Sequence, residues 1–348
     1  MKENNMEKQD IKGKNALLRI ISSIHFSDVI PFIAFIAIFT YFSIASGGIM
    51  LSAFNMKLIF SQSMTTILIG SGVMFVVAQG SVDLSVGVNL ALSGVIGTHL
   101  AMLTGSPILF IPIILIVATA VGCLNGVIVS KFKVDSFMVT LAMLIGVRGI
   151  VNFIQTKVGS ERIPESMAFF KDDTFRIIAF IAIFAIIIYV FEFTRLGKYS
   201  KAIGENEVTA RFVGIPVGLV KILAFTIAGL MAGVGSIFTL TNLNSTSQTM
   251  GVFVEIQVAM AIYFGGVLVT GGISAKMYKL VLGALSITTI TNGLAIIGKS
   301  DTQITESVQG ILLLTILFVT ILATNRLKLR KRKISTDAET EETAVESE

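Results

Sequence analysis

The spacing that most invites a chemical reading is Gly293, Gly298, Lys299 and Ser300, which satisfies GxxxxGKS, the pattern of a loop that wraps nucleotide phosphates. Such a loop needs a strand before it, backbone amides turned toward the phosphate, and a helix after it. Leu294 to Ile297 is instead the apolar end of a hydrophobic run, so the match reads as accidental and Lys299 as an interface lysine. His25 and His99 are the only histidines, and neither has a histidine or cysteine partner three or four residues on. Cys123 is the only cysteine, which excludes an intrachain disulfide and a cysteine-based metal cluster. No catalytic residue, metal ligand or cofactor site is expected, and the chain reads as a non-enzyme.

A second set of polar residues lies within or beside apolar runs: Asp83, Asn89, Asn125, Arg148, Asn152, Gln257 and Asn292. A charge at mid-bilayer costs about 2.5 to 3.5 kcal/mol on insertion scales, so each such residue needs a reason. Arg148 reads as a snorkelling or structurally paired arginine ahead of a path-lining one, and Asp83, with Ser81 and Ser85 nearby, as a helix cap ahead of a ligand contact. The amides suit a hydroxylated solute, although interhelical hydrogen bonding is their commoner use. All of these are candidates for the lining of a translocation path. Their poverty in charge argues against an ion-coupled carrier, which needs several carboxylates or histidines at a midplane site.

The elements that must position these residues are membrane helices. Of the 348 residues 53% are hydrophobic and 14% charged, with a mean hydropathy of +0.84, against about 25% charged in a soluble domain. The apolar residues fall into separate runs long enough to cross about 30 Å of hydrocarbon. Hydropathy places them at 29 to 46, 62 to 79, 85 to 104, 107 to 129, 137 to 155, 176 to 194, 219 to 240, 254 to 271, 279 to 297 and 306 to 324. The expectation is an all-α bundle of about ten helices with both termini in the cytoplasm. The second and third runs are separated only by Gly80 to Leu84, which suggests a helix pair with an intramembrane turn. Residues 1 to 28 form a leader, 29 to 325 the membrane domain, and 326 to 348 a basic and then acidic disordered tail.

The formal charge of +5 could suggest nucleic acid, but the cations sit beside apolar runs, as in cytoplasmic loops, and no nucleic-acid partner is expected. With the N-terminus inside, only Lys57, Lys157, Arg162, Lys171, Arg176 and Lys299 fall outside. The lipid bilayer is the surrounding medium. Pairs such as Gly122 with Gly126 and Gly229 with Gly233 predict close helix packing.

The longest informative hydrophilic stretch runs from Arg195 to Lys221. Gly204 can break the chain ahead of Glu205, Glu207 to Val213 can make about two helical turns, and Gly214 with Pro216 stops them. A lone helix of that length is marginal in water and needs a partner. Here AIGENEVTARFVGI resembles the cytoplasmic coupling helix of the ribose-type permeases of bacterial ABC importers. GSVDLSVGVNLALSG from Gly80 to Gly94 and GCLNGVIVSKFKVDSFMVTLAML from Gly122 to Leu144, extended by Arg148 and Gly149, are similar to further blocks of that family. So is the stretch from Gly229 through TSQTMG to Gly265, Gly266, Gly271 and Gly272, although Gln257 stands where an acidic residue is expected.

The resemblance implies a permease in the bacterial plasma membrane, in a homo- or heterodimer with a second permease subunit. It also implies a separate cytoplasmic ABC ATPase, an extracellular substrate-binding protein and a monosaccharide such as ribose as solute. Nucleosides or branched-chain amino acids are the alternative solutes, and an ion-coupled secondary transporter is the reading from another class. By the same resemblance Gly204, Glu205, Asn206, Glu207, Ala210, Arg211 and Gly214 carry the coupling to the ATPase.

The charge asymmetry makes a test. In a Cys123→Ser background, Glu205→Cys and Lys299→Cys should react with an impermeant thiol reagent from opposite faces of the membrane. Labelling from the same face would refute the topology.

Overall fold

The computed structural model describes residues 26 to 322 apart from 166, 168, 169, 171, 300, 302, 317 and 320. The leader before residue 26, with His25, and Lys171, Ser300 and the tail from 326 to 348 lie outside the described residues. The described chain is helical, and an isolated bridge between Arg162 and Ser245 is the one β pairing it records.

The elements are α1 (Phe26–Ala45), α2 (Ala53–Ala78), α3 (Val86–Leu103), α4 (Phe110–Lys131), α5 (Ser136–Val158), α6 (Asp173–Phe193), α7 (Arg195–Glu205), α8 (Glu207–Phe212), α9 (Val217–Leu243), α10 (Val254–Phe264) and α11 (Met277–Ile296). Eight of these helices are long and apolar enough to cross a membrane among the described residues. The last expected span, 306 to 324, is helical over 303 to 316, and its end lies outside the described residues.

The helices sort by how much of their surface they bury. In α2 every residue from Thr66 to Ala78 is buried, and in α3 every residue from Val86 to Val95. A helix apolar all round and buried all round belongs at the centre of a bundle. Around this pair stand α1, α4, α5 and α6, each buried on one narrow stripe, with Ile44, Ile116, Ile145 and Ile186 exposed on their outer faces. Such faces are compatible with lipid and not with water.

The closest crossing, α4 on α9, uses the glycines singled out above. A Cβ on Gly122 would strike the Phe225 carbonyl and lie 2.8 Å from Gly229 Cα, and a Cβ on Gly229 would strike the Ala118 carbonyl. Gly126 faces Ile222 at 2.8 Å and Gly233 faces the Ala118 methyl at 2.8 Å. Two backbones can approach this closely only where side chains are absent, and dispersion contacts then accumulate along the seam.

One expected span is corrected. Residues 254 to 271 read as a continuous helix, but α10 holds 11 residues, about half the hydrocarbon thickness. The rest of the crossing is irregular. Thr246 N donates to Glu161 O at the α5 end remote from α7 and α8, and Ile273 N donates to Glu205 at the other face, so the chain traverses the bundle between them. Gly251 and Phe253 take left-handed backbone conformations before α10, and Gly266, Gly271 and Gly272 do so after it. Glycines allow those turns, and hydropathy cannot register them because the intervening residues are still apolar.

If the α4–α9 seam holds the bundle together, Gly229→Val should lower the melting temperature of the solubilised subunit, by overpacking worth about 1–3 kcal/mol or more. Gly146→Val, at an open position on α5 with nothing within 4 Å, should change it little. Equal effects would argue against the seam.

Candidate functional site

Two regions collect the residues singled out by sequence. The first is the α7–α8 face. α7 is amphipathic and lays Ile203 into a small apolar cluster with Ala210, Val217 and Val220, which fixes α8 and the start of α9 beneath it. The chain breaks at Asn206, whose extended backbone separates the two helices and whose Oδ1 accepts from Thr209 N at 2.9 Å. The break expected at Gly204 is therefore displaced by two residues. α7 runs through Gly204, where a Cβ would strike the Ala78 carbonyl, so its glycine serves close packing. The stop comes where expected, with Gly214 left-handed and its N donating to Arg211 O at 3.0 Å.

Six residues cannot hold a helix alone. α8 is held by Ala210 in the apolar cluster and by Glu207, which bridges Arg211 at 2.5 Å and Lys221 at 2.8 Å. The hydrogen bond from the Lys221 ammonium holds the Glu207 carboxyl below the usual carboxylate range. A polar cavity of about 430 Å³, lined by Gln79, Lys133, Asp135, Glu207, Arg211 and Lys221, opens beside it.

The sequence reading missed the apolar surface of this segment. Phe212 is 87% exposed and Val208 63%, with Val213 and Ile273 also exposed beside them. The spacing of Val208 and Phe212, one helical turn apart in a hydrophilic stretch, was the available signal. A groove of about 500 Å³ lined by Glu205, Asn206, Thr209, Val213 and Ile273 runs along the same surface. Glu205 turns across it, its Oε1 accepting from Ile273 N at 2.8 Å.

The second region is the bundle interior, and it separates the path candidates. Asp83 Oδ1 accepts from Ser85 N at 2.9 Å and Ser85 Oγ at 2.6 Å, and Ser85 Oγ accepts from Asn125 Nδ2 at 2.7 Å. Asn89, one turn along α3, donates to Ala118 O at 2.9 Å. These three candidates thus form one buried group joining the α2–α3 turn to α4. Asn292 is buried and donates to Gln62 Oε1 at 2.7 Å, linking α11 to α2. Asn152 and Gln257 are exposed on α5 and α10.

Arg148 Nη1 donates to Met250 O at 2.8 Å in the irregular segment before α10. The same arginine interacts electrostatically with Glu255, which is buried and whose Oε2 has no hydrogen-bond partner among the described residues. A guanidinium in a membrane bundle thus serves a backbone carbonyl outside any helix, with the buried Glu255 carboxyl near enough to feel its charge.

The remaining candidates stay apart from both regions. Lys299 is exposed beyond the end of α11, so a helix and not a strand precedes the GKS match. His99 pairs with Glu161 at 3.0 Å near the face opposite α8. Cys123 is half-buried on α4.

Residues 55–317 match the family described as the branched-chain amino acid transport system / permease component. The chain is similar to the ribose import permease protein of Haemophilus influenzae, with 30% identity over 291 residues that cover 80% of this chain and 87% of the relative. It is 32% identical over 251 residues to the L-arabinose ABC transporter permease protein of Azospirillum brasilense, covering 70% and 74%. It is 28% identical over 321 residues to the fructose import permease protein of Rhizobium meliloti, covering 88% of each. No solved structure matches the chain.

The Arg148 contact predicts non-additivity. Arg148→Met should destabilise the subunit by leaving Glu255 without its neighbouring cation, and adding Glu255→Gln should recover part of that loss. The expected coupling in thermal unfolding is about 0.5–3 kcal/mol, and strict additivity would show that the two residues do not interact.

Proposed function

From the premise that the chain belongs to the family of branched-chain amino acid transport system permease components, we propose that it is the membrane-spanning subunit of an ATP-binding-cassette importer for a monosaccharide. The observation that carries the solute class is similarity over most of the chain to permeases named for ribose, L-arabinose and fructose. These are all small polyhydroxylated rings or chains, and amides with few charges are the side chains that exchange hydrogen bonds with hydroxyls without holding an ion. Gln257 and Asn152, exposed on α10 and α5, are the candidates best placed to line a path between two subunits. Asp83, Asn89, Asn125, Arg148 and Asn292 act in this reading by holding the wall together.

Energy enters from a separate ATPase in the cytoplasm. Its docking site is the α7–α8 face, where an exposed apolar ridge flanks a charged rim, the composition of a protein interface with a greasy centre and a polar edge. The opposite face receives the substrate-binding protein, and a second permease subunit closes the path. The membrane is the bacterial plasma membrane.

Phe212 is the sharper probe of docking. Arg211 already pairs with Glu207, and Ala210 is on the buried face of α8, against Ile203, Val217 and Val220, so a bulky residue at 210 would disturb the segment itself. Burying a phenylalanine side chain contributes about 1.5–3 kcal/mol, or roughly a 10- to 100-fold change in affinity. Phe212→Glu should leave membrane insertion unchanged, release the ATPase on purification and stop uptake of labelled ribose, arabinose or fructose into proteoliposomes holding all three proteins and ATP. Uptake driven by an ion gradient without ATP, or a Phe212→Glu complex that holds its ATPase and transports at the parental rate, would overturn the reading.

A further inference from the structure

The joint between α7 and the loop from Gly265 to Lys276 is built largely from close backbone contacts, and the Glu205 carboxylate reaches into it. Gly271 is left-handed and packs on the last carbonyls of α2, where a Cβ would lie 2.7 Å from Ala78 O and 2.8 Å from Gly80 N. Gly204 packs on Gly272 from the other side, where a Cβ on Gly204 would lie 2.5 Å from Gly272 N. Into this glycine-lined contact Glu205 sends its carboxylate, accepting from Ile273 N at 2.8 Å. A Cβ on Gly272, itself at φ 69°, would lie 2.9 Å from Glu205 Cδ. The last residue of α7, at the Asn206 break, is thereby tied to the loop joining α10 to α11.

That loop does not end freely. Gly265 and Gly283 let α10 and α11 touch backbone to backbone, and Lys279 Nζ donates to Gly266 O at 3.3 Å. Asp28 of α1 holds Lys279 at 3.1 Å and Lys276 at 2.5 Å, and Met277 N donates to Glu192 Oε1 at 3.1 Å. The α10–α11 hairpin is therefore one packed body at this face. At its far end lie Gln257, Glu255 and the Met250 carbonyl that Arg148 holds.

We propose that Glu205 is the pin through which movement of the α7–α8 segment reaches the α10–α11 hairpin, making it a positioning residue for transport rather than a docking contact. The inference rests on the reading of the chain as an importer subunit. Its support is that Glu205, Val213 and Ile273 line one surface groove, so a partner seated on α8 touches both sides of the joint. Among the described residues the carboxylate is the one side chain that crosses directly from α7 to the loop through a hydrogen bond to backbone, and a hydrogen bond of that kind transmits displacement in both directions. Without it the hairpin keeps its packing, the Gly204–Gly272 contact and the indirect tie from Lys201 through Glu192 to Met277 N, but loses its one direct side-chain hydrogen bond to α7 among the described residues.

The test uses the reconstituted complex of this subunit, the ATPase and the binding protein, and reads ATP hydrolysed per solute molecule imported. Glu205→Ala should keep the ATPase bound through purification, lower uptake at least tenfold and raise that ratio at least tenfold. Glu205→Gln, which retains an oxygen to accept from Ile273 N, should recover most of the uptake. Gly272→Ala, which displaces the carboxylate with Glu205 intact, should reproduce the raised ratio. A parental ratio in Glu205→Ala or in Gly272→Ala overturns the proposal. So does loss of the ATPase from Glu205→Ala, which would make the residue a docking contact, and so does a Glu205→Gln variant as poor as alanine. A parental complex that imports none of the sugars would sink the importer reading itself, and that outcome is read before any variant is compared.

Discussion

In hydrocarbon no water is available to pair a backbone N–H or C=O, and an unsatisfied group costs several kcal/mol. The rest of this fold follows from that constraint. Within the long helices the demand is met internally. Where the helices stop, within the bundle or at its faces, it must be met by something else, and side chains supply partners at several of the breaks. Ser136 Oγ accepts from Val82 N in the α2–α3 turn, and Asp83 accepts from Ser85 N there. Ser274 Oγ accepts from Leu268 N after α10, Glu205 accepts from Ile273 N, and Arg148 donates to Met250 O before α10. Most polar side chains that looked like pathway candidates are thus spoken for by backbone or by neighbouring helices.

The same constraint explains the glycines. Without a hydrophobic driving force between helices in lipid, association depends on close packing and on interhelical hydrogen bonds. Gly122 and Gly229 let α4 and α9 meet backbone to backbone, and Gly265 and Gly283 do the same for α10 and α11. Gly87 against Gly251 admits the irregular segment to the flank of α3, which brings Glu255 and Met250 to membrane depth. Small residues here decide where a chain can leave helical geometry and still be enclosed.

How much of this was legible depended on whether the signal was local. Helix existence was legible because twenty apolar residues admit few other structures, and α1 to α6, α9 and α11 lie within three residues of where hydropathy put them, except that α2 begins at Ala53, nine residues before the expected 62, since its polar first turns carry Asn55, Lys57 and Gln62. The glycine seam was legible from spacing alone. The break in residues 254 to 271 was not, because Val267 to Val269 are apolar whether they are helix or loop, and only Gly265, Gly266, Gly271 and Gly272 hinted at it. Asn206 was overlooked as the break in favour of Gly204, since glycine signals flexibility in sequence while its role at 204 is set by Ala78 and Gly272, distant in the chain. Phe212 was overlooked because its spacing with Val208 marks a shared helix face but does not say whether that face is covered until the exposure of both is known.

The division of labour between faces is the last consequence. In the bundle interior Asp83, Asn89, Asn125 and Asn292 each make a hydrogen bond, with Asn89 Oδ1 and Asn125 Oδ1 left without a partner among the described residues, and Gln257 and Asn152 remain on outer faces of α10 and α5. In the function proposed above, a neutral solute passes along a surface that a second subunit completes. In that proposal the response to a cytoplasmic ATPase runs through elements that touch both its docking surface and the broken crossing. The loop from Gly265 to Lys276 meets both requirements, since Glu205 ties it to α7 at one end and α10 carries it to the Met250 carbonyl at the other. A continuous helix at 254 to 271 would have been simpler to fold, but it would place no backbone at mid-membrane for Arg148 to hold, and no joint that can be moved from one face of the protein.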